Sequence, residues 1–345
     1  MLDVSIKKEK IKFVRTLIIS VVAALLLFIL SLMSGRYGFT NPVSLFKMFF
    51  NLFGAKLSVS KTETSVVTFI RLPRTIAAFL IGASLAVSGL VYQNTFKNKL
   101  VSPDILGVSA GCCVGAGIAI LIGISGLGVS LCAFGFGIAA VFITLLFPKL
   151  FKNKSTIILV LSGIIVGAFM NSIIALLKFL ADKSNKLSEI TFWMMGSVAG
   201  VTMTDILYVL PCIAACFVVL MIMSMRIDVV SLGKEEATSL GVKYTANRLI
   251  IVLCSTLLTA ASVSISGNVG WVGLVIPHIA RSLSGWSTKR SLPVTFILGG
   301  AFMIAVDMLS RLLSVDEIPL SIITGLLGGL IYTVILIKMG RKIND

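Results

Sequence analysis

Residues 71–93 read RLPRTIAAFLIGASLAVSGLVYQ, two arginines leading into a run that stays apolar as far as Gln93. The run is about 20 residues long, which is enough to cross a bilayer as one α-helix. Arg71 and Arg74 stand at its predicted amino end, where the helix dipole is already positive and an exposed cation costs about 0.3 to 1 kcal/mol. Helix stability does not explain these arginines, so the sequence predicts another role for them.

The rest of the chain has the same apolar character. Apolar residues make up 57% of its 345 residues, charged residues make up 13%, and the mean hydropathy is +1.06. These values exclude a water-soluble globular protein. The sequence therefore predicts an all-α polytopic membrane protein with one transmembrane domain over residues 1–345. The first apolar run lacks a small-residue cleavage site and is interpreted as a retained anchor rather than a signal peptide.

About ten segments are long and apolar enough to be membrane spans. They are residues 14–33, 75–94, 105–124, 129–147, 156–180, 204–225, 248–266, 270–286, 293–312 and 319–338. The eighth is interrupted by Gly270, Gly273 and Pro277, which favours a broken or partly re-entrant segment. Residues 190–200 are apolar but too short to span, and they predict an interfacial or half-buried helix before the sixth span.

The distribution of lysine and arginine predicts that both termini are cytoplasmic, because cytoplasmic loops collect basic residues. With that orientation the inner side holds the larger group: Lys7, Lys8, Lys10, Lys12, Arg15, Lys97, Lys99, Lys149, Lys152, Lys154, Arg226, Lys234, Lys243, Arg248, Arg281, Lys289, Arg290, Lys338, Arg341 and Lys342. The outer side holds the smaller group: Arg36, Lys47, Lys56, Lys61, Arg71, Arg74, Lys183, Lys186 and Arg311. Membrane topology thus accounts for the net charge of +16 without nucleic-acid binding.

Few ionisable residues fall inside the spans. Only His278 lies deep, and it is either a structural, hydrogen-bonded imidazole or a proton carrier. Asp307 and Arg311 are four residues apart in the favoured order for a helical ion pair, which predicts mutual neutralisation. All six cysteines lie in apolar runs without zinc-site spacing and are interpreted as packing residues, so no metal site is predicted.

The scarcity of ionisable residues in the spans, together with missing sequence motifs, distinguishes between classes of membrane protein. A secondary carrier usually places carboxylates or histidines in mid-membrane as relays, and this chain has no carboxylate there. The sequence contains neither an H-E-x-x-H zinc motif nor a G-x-x-x-x-G-K-[ST] phosphate loop. If ATP drives transport, another polypeptide must therefore bind it, and this chain needs no cofactor of its own.

The longest inner loop, about residues 226–247, contains GKEEATSLGV at its centre. Gly233 precedes a predicted short helix, two glutamates occupy its first turn where the dipole favours anions, and Gly241 ends it. Leu232, Ala237 and Leu240 are predicted to form one apolar edge. Two interpretations fit this segment: a solvated helix between spans, or a coupling helix that docks into a cytoplasmic ATPase.

Four segments together resemble the iron-chelate and vitamin B12 uptake permease family, the membrane subunits of type II ABC importers. They are RLPRTIAAFLIGASLAVSGLVYQNTFKNKLVSPDILGVSAG at 71–111, SLGKEEATSLGV at 231–242, SISGNVGWVGLVIPHIARSLSG at 264–285 and DMLSRLLSVDEIPLSIITGLLGG at 307–329. The resemblance implies ten helices per subunit and two permease subunits, either identical or related, around a central path. It also implies two cytoplasmic ATPases and an extracytoplasmic substrate-binding protein as partners.

The resemblance also assigns roles to residues. The contact with the ATPase would involve Leu232, Gly233, Glu235, Glu236, Ala237, Leu240 and Gly241. Arg71, Arg74 and Arg311 match the arginines that dock the binding protein, for which headgroup anchoring is the alternative reading. Asp307, Pro277 and His278 are candidate structural or pathway residues. Where the family often has G-x-P near its end, this chain has LLGGLIYTV, so the lower end of the path departs from the pattern.

The resulting expectation is a permease subunit in the cell membrane, in contact with lipid, that forms half of the pathway for a ferric siderophore. The alternatives are a haem or cobalamin importer of the same family and, less favoured, a standalone secondary transporter.

Overall fold

The computed structural model describes residues 2–35, 38, 40–52, 55, 57–151, 156–182 and 185–344, and all regular secondary structure in that part of the chain is helical. These residues form fifteen α-helices: α1 Leu2–Met33, α2 Pro42–Leu52, α3 Lys61–Val66, α4 Leu72–Thr95, α5 Val108–Leu121, α6 Leu127–Leu150, α7 Thr156–Leu180, α8 Lys186–Met195, α9 Met203–Ile222, α10 Ser224–Leu232, α11 Lys234–Ser239, α12 Tyr244–Ser266, α13 Val272–Ser284, α14 Thr288–Leu312 and α15 Leu320–Asn344. Of the basic residues behind the orientation prediction, Arg36, Lys56, Lys152, Lys154 and Lys183 lie outside the described residues.

In the part of the chain that the structure describes, seven helical segments are long and apolar enough to cross a membrane. They are Ile11–Met33, Lys61–Thr95, Leu127–Leu150, Ile157–Leu180, Met203–Ile222, Tyr244–Ser266 and Thr288–Leu312. The predicted spans 105–124 and 319–338 correspond to shorter apolar helices, Val108–Leu121 and Leu320–Ile335, and the interrupted eighth span to α13. Each predicted span thus contains a helix, and the number that crosses the bilayer remains a prediction.

The helix that carries Arg71 and Arg74 begins earlier than predicted. A π-helical turn, Val67–Arg71, joins α3 to α4, so the helix runs continuously from Lys61 to Thr95. In this turn the Leu72 N–H bonds to the Val67 carbonyl, five residues earlier. The wider turn accommodates Pro73, whose ring lacks an N–H and crowds the preceding turn. The arginines therefore lie inside a helix, and the prediction that they stand at its amino end is wrong.

Three other boundaries differ from the predicted ones. The third predicted span divides at Gly107, whose φ of +76° separates a 3₁₀ turn, Pro103–Leu106, from α5. The inner loop is mostly helical, because α10 and α11 fill its first half and α12 begins at Tyr244. The predicted interfacial helix is α8, which starts at Lys186 and ends before Gly196.

The centre of the bundle is α4. In its most apolar window 83% of the residues are buried, against 22% for α1, and it packs against α12, α13 and α14. Two glycine crossings permit this packing: a Cβ at Gly82 would lie 2.2 Å from the Gly299 carbonyl oxygen, and one at Gly89 would lie 1.9 Å from that of Gly273. The backbones meet without intervening side chains, as close helix pairs in membranes often do.

A second group of helices, α5, α6 and α7, packs beside this centre. Gly111 and Gly115 on α5 face α6, and Gly163 on α7 faces the Ile105 carbonyl, so these small residues lie at close contacts between helices. Gly196 and Gly200, which have the same spacing, lie outside any helix. Their spacing therefore does not place them on one face of a helix.

Candidate functional site

Arg71 closes the carboxyl end of α1. Its Nη1 donates hydrogen bonds to the carbonyl oxygens of Leu32 at 3.0 Å and Met33 at 2.9 Å, and to Thr40 Oγ1 at 2.9 Å. Its Nη2 donates to the Gly38 carbonyl at 2.8 Å. The last carbonyls of a helix have no partner within the helix and carry partial negative charge, which a guanidinium satisfies. Arg71 is thus a side-chain cap for α1.

Arg311, from the last turn of α14, reaches the same end of α1. Its Nη1 donates to the Ser34 carbonyl at 3.0 Å, and its Nη2 donates to the Ser31 carbonyl at 2.9 Å and to Ser31 Oγ at 2.6 Å. Its Nε lies 3.5 Å from Asp307 Oδ2, which confirms the predicted ion pair. Two cations from different helices therefore converge on one helix terminus.

Arg74 has carboxylate partners instead. Its Nε donates to Asp307 Oδ1 at 2.7 Å, so Arg74, not Arg311, is the nearer partner of that buried acid. Its two terminal nitrogens donate to the two oxygens of Glu317 at 2.8 and 2.9 Å. This parallel arrangement is the strong, geometrically specific form of the arginine–carboxylate contact. Glu317 was not singled out from the sequence, although it lies in the same segment as Asp307 and Arg311.

These five residues, Arg71, Arg74, Asp307, Arg311 and Glu317, form the arginine cluster. The three arginines are between 3% and 5% exposed, and their guanidinium groups are bonded to protein. This geometry does not favour the headgroup-anchor interpretation, because an anchoring side chain extends toward lipid. Only the Glu317 side chain, 23% exposed, opens the cluster toward the surface.

The second candidate surface is the coupling segment, residues 232–241. Gly233 begins it with a φ of +122° that side chains rarely tolerate, and Gly241 ends it with a φ of +75°. The Val242 N–H bonds to the Ala237 carbonyl and the Gly241 N–H to the Thr238 carbonyl, which is a Schellman end. The sequence prediction of a short helix between the two glycines is confirmed.

The side chains of the coupling segment divide differently from the prediction. Glu235 and Glu236 are exposed on α11. Leu232 is 46% and Leu240 61% exposed, whereas Ala237 is fully buried. The single apolar edge predicted for these three residues is therefore wrong: Ala237 packs the helix onto the protein, and the two leucines are left on the outside. The small side chain of Ala237 allows α11 to lie close to the rest of the protein.

The coupling segment is tied to α4, and the preceding helix α10 is tied to α14. The Lys97 ammonium, just beyond α4, donates to the Leu232 carbonyl. Asp228 on α10 accepts a hydrogen bond from the Thr288 N–H at 3.1 Å, and thereby caps the first turn of α14 from another helix. Thr288 Oγ1 in turn accepts from Asn94 Nδ2 at 2.8 Å. The end of the bundle with these contacts is called the coupling end, and the other the arginine end.

Arg281 was also not singled out from the sequence. It is 3% exposed, and its guanidinium donates to the side-chain oxygens of Gln93 and, at 3.3 Å, Asn94. Gln93 Nε2 donates back to the Gly273 carbonyl at 3.1 Å, so this network joins α13 to the coupling end of α4. On the same helix Pro277 is buried.

His278 is half-buried and makes no hydrogen bond to another described residue, so its structural and proton-carrying interpretations both stay predictions. Four of the six cysteines are buried, which agrees with a packing role. Within the described ranges no group of three or more histidine, cysteine, aspartate or glutamate side chains is arranged to hold a metal ion.

Both candidate surfaces thus involve the same two helices, α4 and α14. The arginine cluster joins one pair of their ends, and the contacts of Asn94, Lys97 and Thr288 join the other. The salt bridge of 2.7 Å between Glu9 and Arg290 places the start of α1 at the coupling end as well. The side of the membrane to which that end belongs remains a prediction.

Known proteins resemble the chain over most of its length. The sequence profile of the FecCD transport family matches residues 23–338. The "Molybdate import system permease protein MolB" of Haemophilus influenzae is 37% identical over 337 residues, with 96% of each chain covered. A "Probable iron chelatin transport system permease protein" of Helicobacter pylori is 34% identical over 263 residues, which cover 76% of this chain and 79% of that protein.

A solved structure matches as well. It is described as "An inward-facing conformation of a putative metal-chelate type ABC transporter" and superposes with a TM-score of 0.85 at 34% sequence identity. The match covers 94% of this chain and 99% of that one.

Proposed function

Because this chain belongs to the FecCD transport family, we propose that it forms half of the translocation pathway for a ferric siderophore or a similar iron chelate. The family and the apolar helices make it a multi-pass membrane permease of an ABC importer. The iron-chelate cargo is supported by the iron chelatin relative and by the metal-chelate type transporter of similar structure.

The coupling segment is the proposed contact with a cytoplasmic ATPase. Its support is the combination of an exposed outer face, with Glu235, Glu236 and Leu240, and an inner face fixed by Ala237. Because its inner face is fixed to the protein, the coupling segment would pass a movement of the ATPase on to the membrane helices. ATP binding would draw two ATPases together, and the coupling segments would then rock the helices between outward- and inward-open states.

The arginine cluster is the proposed docking site for an extracytoplasmic substrate-binding protein. Arg71 and Arg311 are engaged with α1, so Arg74 is the member that an incoming carboxylate can reach most directly. Among the described residues, the hydrogen bonds of its Nη1 and Nη2 go to Glu317, which is partly exposed. Docking in this form means that an acidic side chain of the binding protein joins or replaces Glu317, which guides association by charge.

Molybdate is the second candidate cargo. The molybdate permease is the more similar of the two relatives described above, and it covers nearly the whole chain. An oxyanion and an iron chelate differ greatly in size, but release from the pathway needs only low affinity for either. The identity of the cargo is therefore expected to be set mainly by the binding protein.

Metal uptake by cells decides among these cargoes. Cells expressing the complete importer are supplied with ferric siderophore, haem, cobalamin or molybdate, and cell-associated iron, cobalt and molybdenum are measured by mass spectrometry. We expect iron to accumulate from the siderophore and accumulation to stop when the ATPase is inactivated. Accumulation of molybdenum alone would replace the iron proposal, and uptake that continues without the ATPase would contradict the ABC mechanism.

A further inference from the structure

A pocket of about 290 Å³ lies between α6, α7 and α12 at the coupling end. Its walls are apolar and include Leu145, Leu159, Leu249 and Val252. Two cations, Lys149 and Arg248, also line it, and none of the described lining residues is acidic. The pocket is therefore apolar and positively charged at the same time.

The position of the pocket is that of a membrane surface. It involves the last two turns of α6, the first turn of α7 and the first turns of α12, all of which are candidate spans. The neighbouring outer surface is apolar: Leu146 is 50%, Leu150 74% and Ile157 70% exposed. Exposed apolar side chains on spanning helices are expected to face lipid, so the pocket is continuous with the bilayer.

The charge of Arg248 is held in place by its surroundings. The residue is 8% exposed, and its guanidinium carbon lies 6.0 Å from the Phe96 ring and 5.8 Å from the Tyr244 ring. It lies in the second turn of α12, near the positive amino end of the helix dipole, and the side chain of the N-cap residue Lys243 makes no capping hydrogen bond. An anion in the pocket would meet the guanidinium, the Lys149 ammonium and this dipole together.

From these observations we propose that the pocket binds an anionic phospholipid. Its phosphate lies between Lys149 and Arg248, and the first part of one acyl chain lies against Leu145, Leu159 and Leu249. Basic pockets between membrane helices bind anionic headgroups in this way. The volume is near the lower end for ligand sites, which suits the phosphate–glycerol region while the remaining chain stays in the bilayer. A soluble anion would leave the apolar walls unused.

Lipid retention in native mass spectrometry tests the proposal. The full chain is reconstituted in vesicles of equal parts phosphatidylglycerol and phosphatidylcholine, extracted, and the lipids that remain bound are counted. We expect retained phosphatidylglycerol in preference to phosphatidylcholine. Lys149→Gln and Arg248→Gln should each reduce that retention about fivefold, the effect of one basic residue near a membrane surface. Lys289→Gln, an exposed cation of the coupling end outside the pocket, is the matched control and should have no effect.

Two further experiments distinguish lipid binding from a folding defect and from binding of a soluble anion. Leu249→Trp fills the pocket but leaves both charges, and it should also remove the lipid. Leu249 and Lys149 are both exposed, so their substitution is not expected to disturb folding, and these two variants test the proposal even if Arg248→Gln misfolds. Millimolar inorganic phosphate should not displace the lipid. Equal retention of the two lipids by the unmodified chain, wild-type retention by Lys149→Gln or Leu249→Trp, or displacement by phosphate would each overturn the proposal.

Discussion

The Arg74 guanidinium and the Glu317 carboxylate are joined by two parallel hydrogen bonds of 2.8 and 2.9 Å. An internal carboxylate therefore already holds the contact that an acidic side chain of a docking partner would make. The pair links α4 to the loop before α15, and Asp307 fixes Arg74 from its other side. Glu317 is thus expected to compete with a partner for Arg74.

Removing this competitor should strengthen docking. Glu317→Gln leaves the shape of the loop unchanged but removes its charge, and we expect the substrate-binding protein to bind about three- to tenfold more tightly, by the free energy of one partly exposed ion pair. Surface plasmon resonance on the reconstituted permease measures the change. Asp316→Asn, an exposed neighbour, is the control. Unchanged or weaker binding by Glu317→Gln alone would argue against docking at Arg74.

Replacing Arg71 should reduce stability before it affects any partner. Arg71→Ala leaves the Leu32 and Gly38 carbonyls without their donor, whereas the Met33 carbonyl keeps the Thr40 N–H, and the loss is expected to cost about 2 kcal/mol or more, since each buried unpaired group costs about 1–3 kcal/mol. Thermal unfolding of the purified chain in detergent should shift downward by several degrees with no partner present. Arg71→Lys should not restore it fully, because one ammonium cannot reproduce the guanidinium fork. A normal unfolding temperature for Arg71→Ala would show that the cap contributes little.

The same reasoning changes how a charge reversal of all three arginines would be interpreted. Converting Arg71, Arg74 and Arg311 to glutamate would introduce three buried acids beside Asp307, and the resulting repulsion would unfold the arginine end. Loss of docking in that variant would not distinguish a docking role from misfolding. Arg74→Gln alone is the informative change, and stability should be measured with it.

The coupling segment should tolerate charge reversal structurally but not functionally. With Glu235 and Glu236 both changed to lysine, we expect the chain to fold and uptake to fall at least tenfold, because the exposed face of α11 then carries the wrong charge for its partner. Leu240→Ala should weaken assembly with the ATPase through lost apolar contact. Ser239→Ala, exposed on the same helix, is the control. Co-purification of the ATPase and its transport-coupled hydrolysis are the measurements, and normal values for both would make α11 a solvated connection only.

Where two helices meet at a glycine, replacing that glycine by alanine should be destabilising. Gly89→Ala would place a Cβ 1.9 Å from the Gly273 carbonyl oxygen, so α4 and α13 must separate and we expect a large loss of thermal stability or of folded protein. Gly135→Ala on α6 meets nothing within 4 Å and should be neutral or slightly stabilising, since alanine favours a helix by about 1 kcal/mol. Equal unfolding temperatures for the two variants would mean that α4 and α13 adjust freely.

Much of the architecture could be predicted from local patterns. Apolar runs predicted where the helices lie, and Gly233, Gly241 and two glutamates predicted α11, because these signals act within a few residues. The Asp307–Arg311 pair was predictable for the same reason, as both residues lie on one helix face. The confirmed features share this locality.

Most of the missed features depend on contacts between distant segments. The acceptors of Arg71 are backbone carbonyls of α1, which no residue type reveals. The π-helical turn before Pro73 extends a helix through residues that would otherwise mark its start. Gly82 and Gly89 were not singled out, because their crossing partners, Gly299 and Gly273, lie on other helices. Burial of Ala237 likewise depends on where α11 rests.

Because the backbones of α4 and α14 meet at Gly82 and Gly299, the two helices are expected to move as one rigid unit. With backbone against backbone there is little compressible material between them, so the pair should move as a stiff beam rather than as two independent rods. From Arg74 to Asn94 this beam is about 30 Å long at 1.5 Å per residue, and a tilt of about 10° at one end would displace the other by about 5 Å. A small displacement at one face of the membrane is then transmitted in full to the opposite face, without a series of side-chain rearrangements between them.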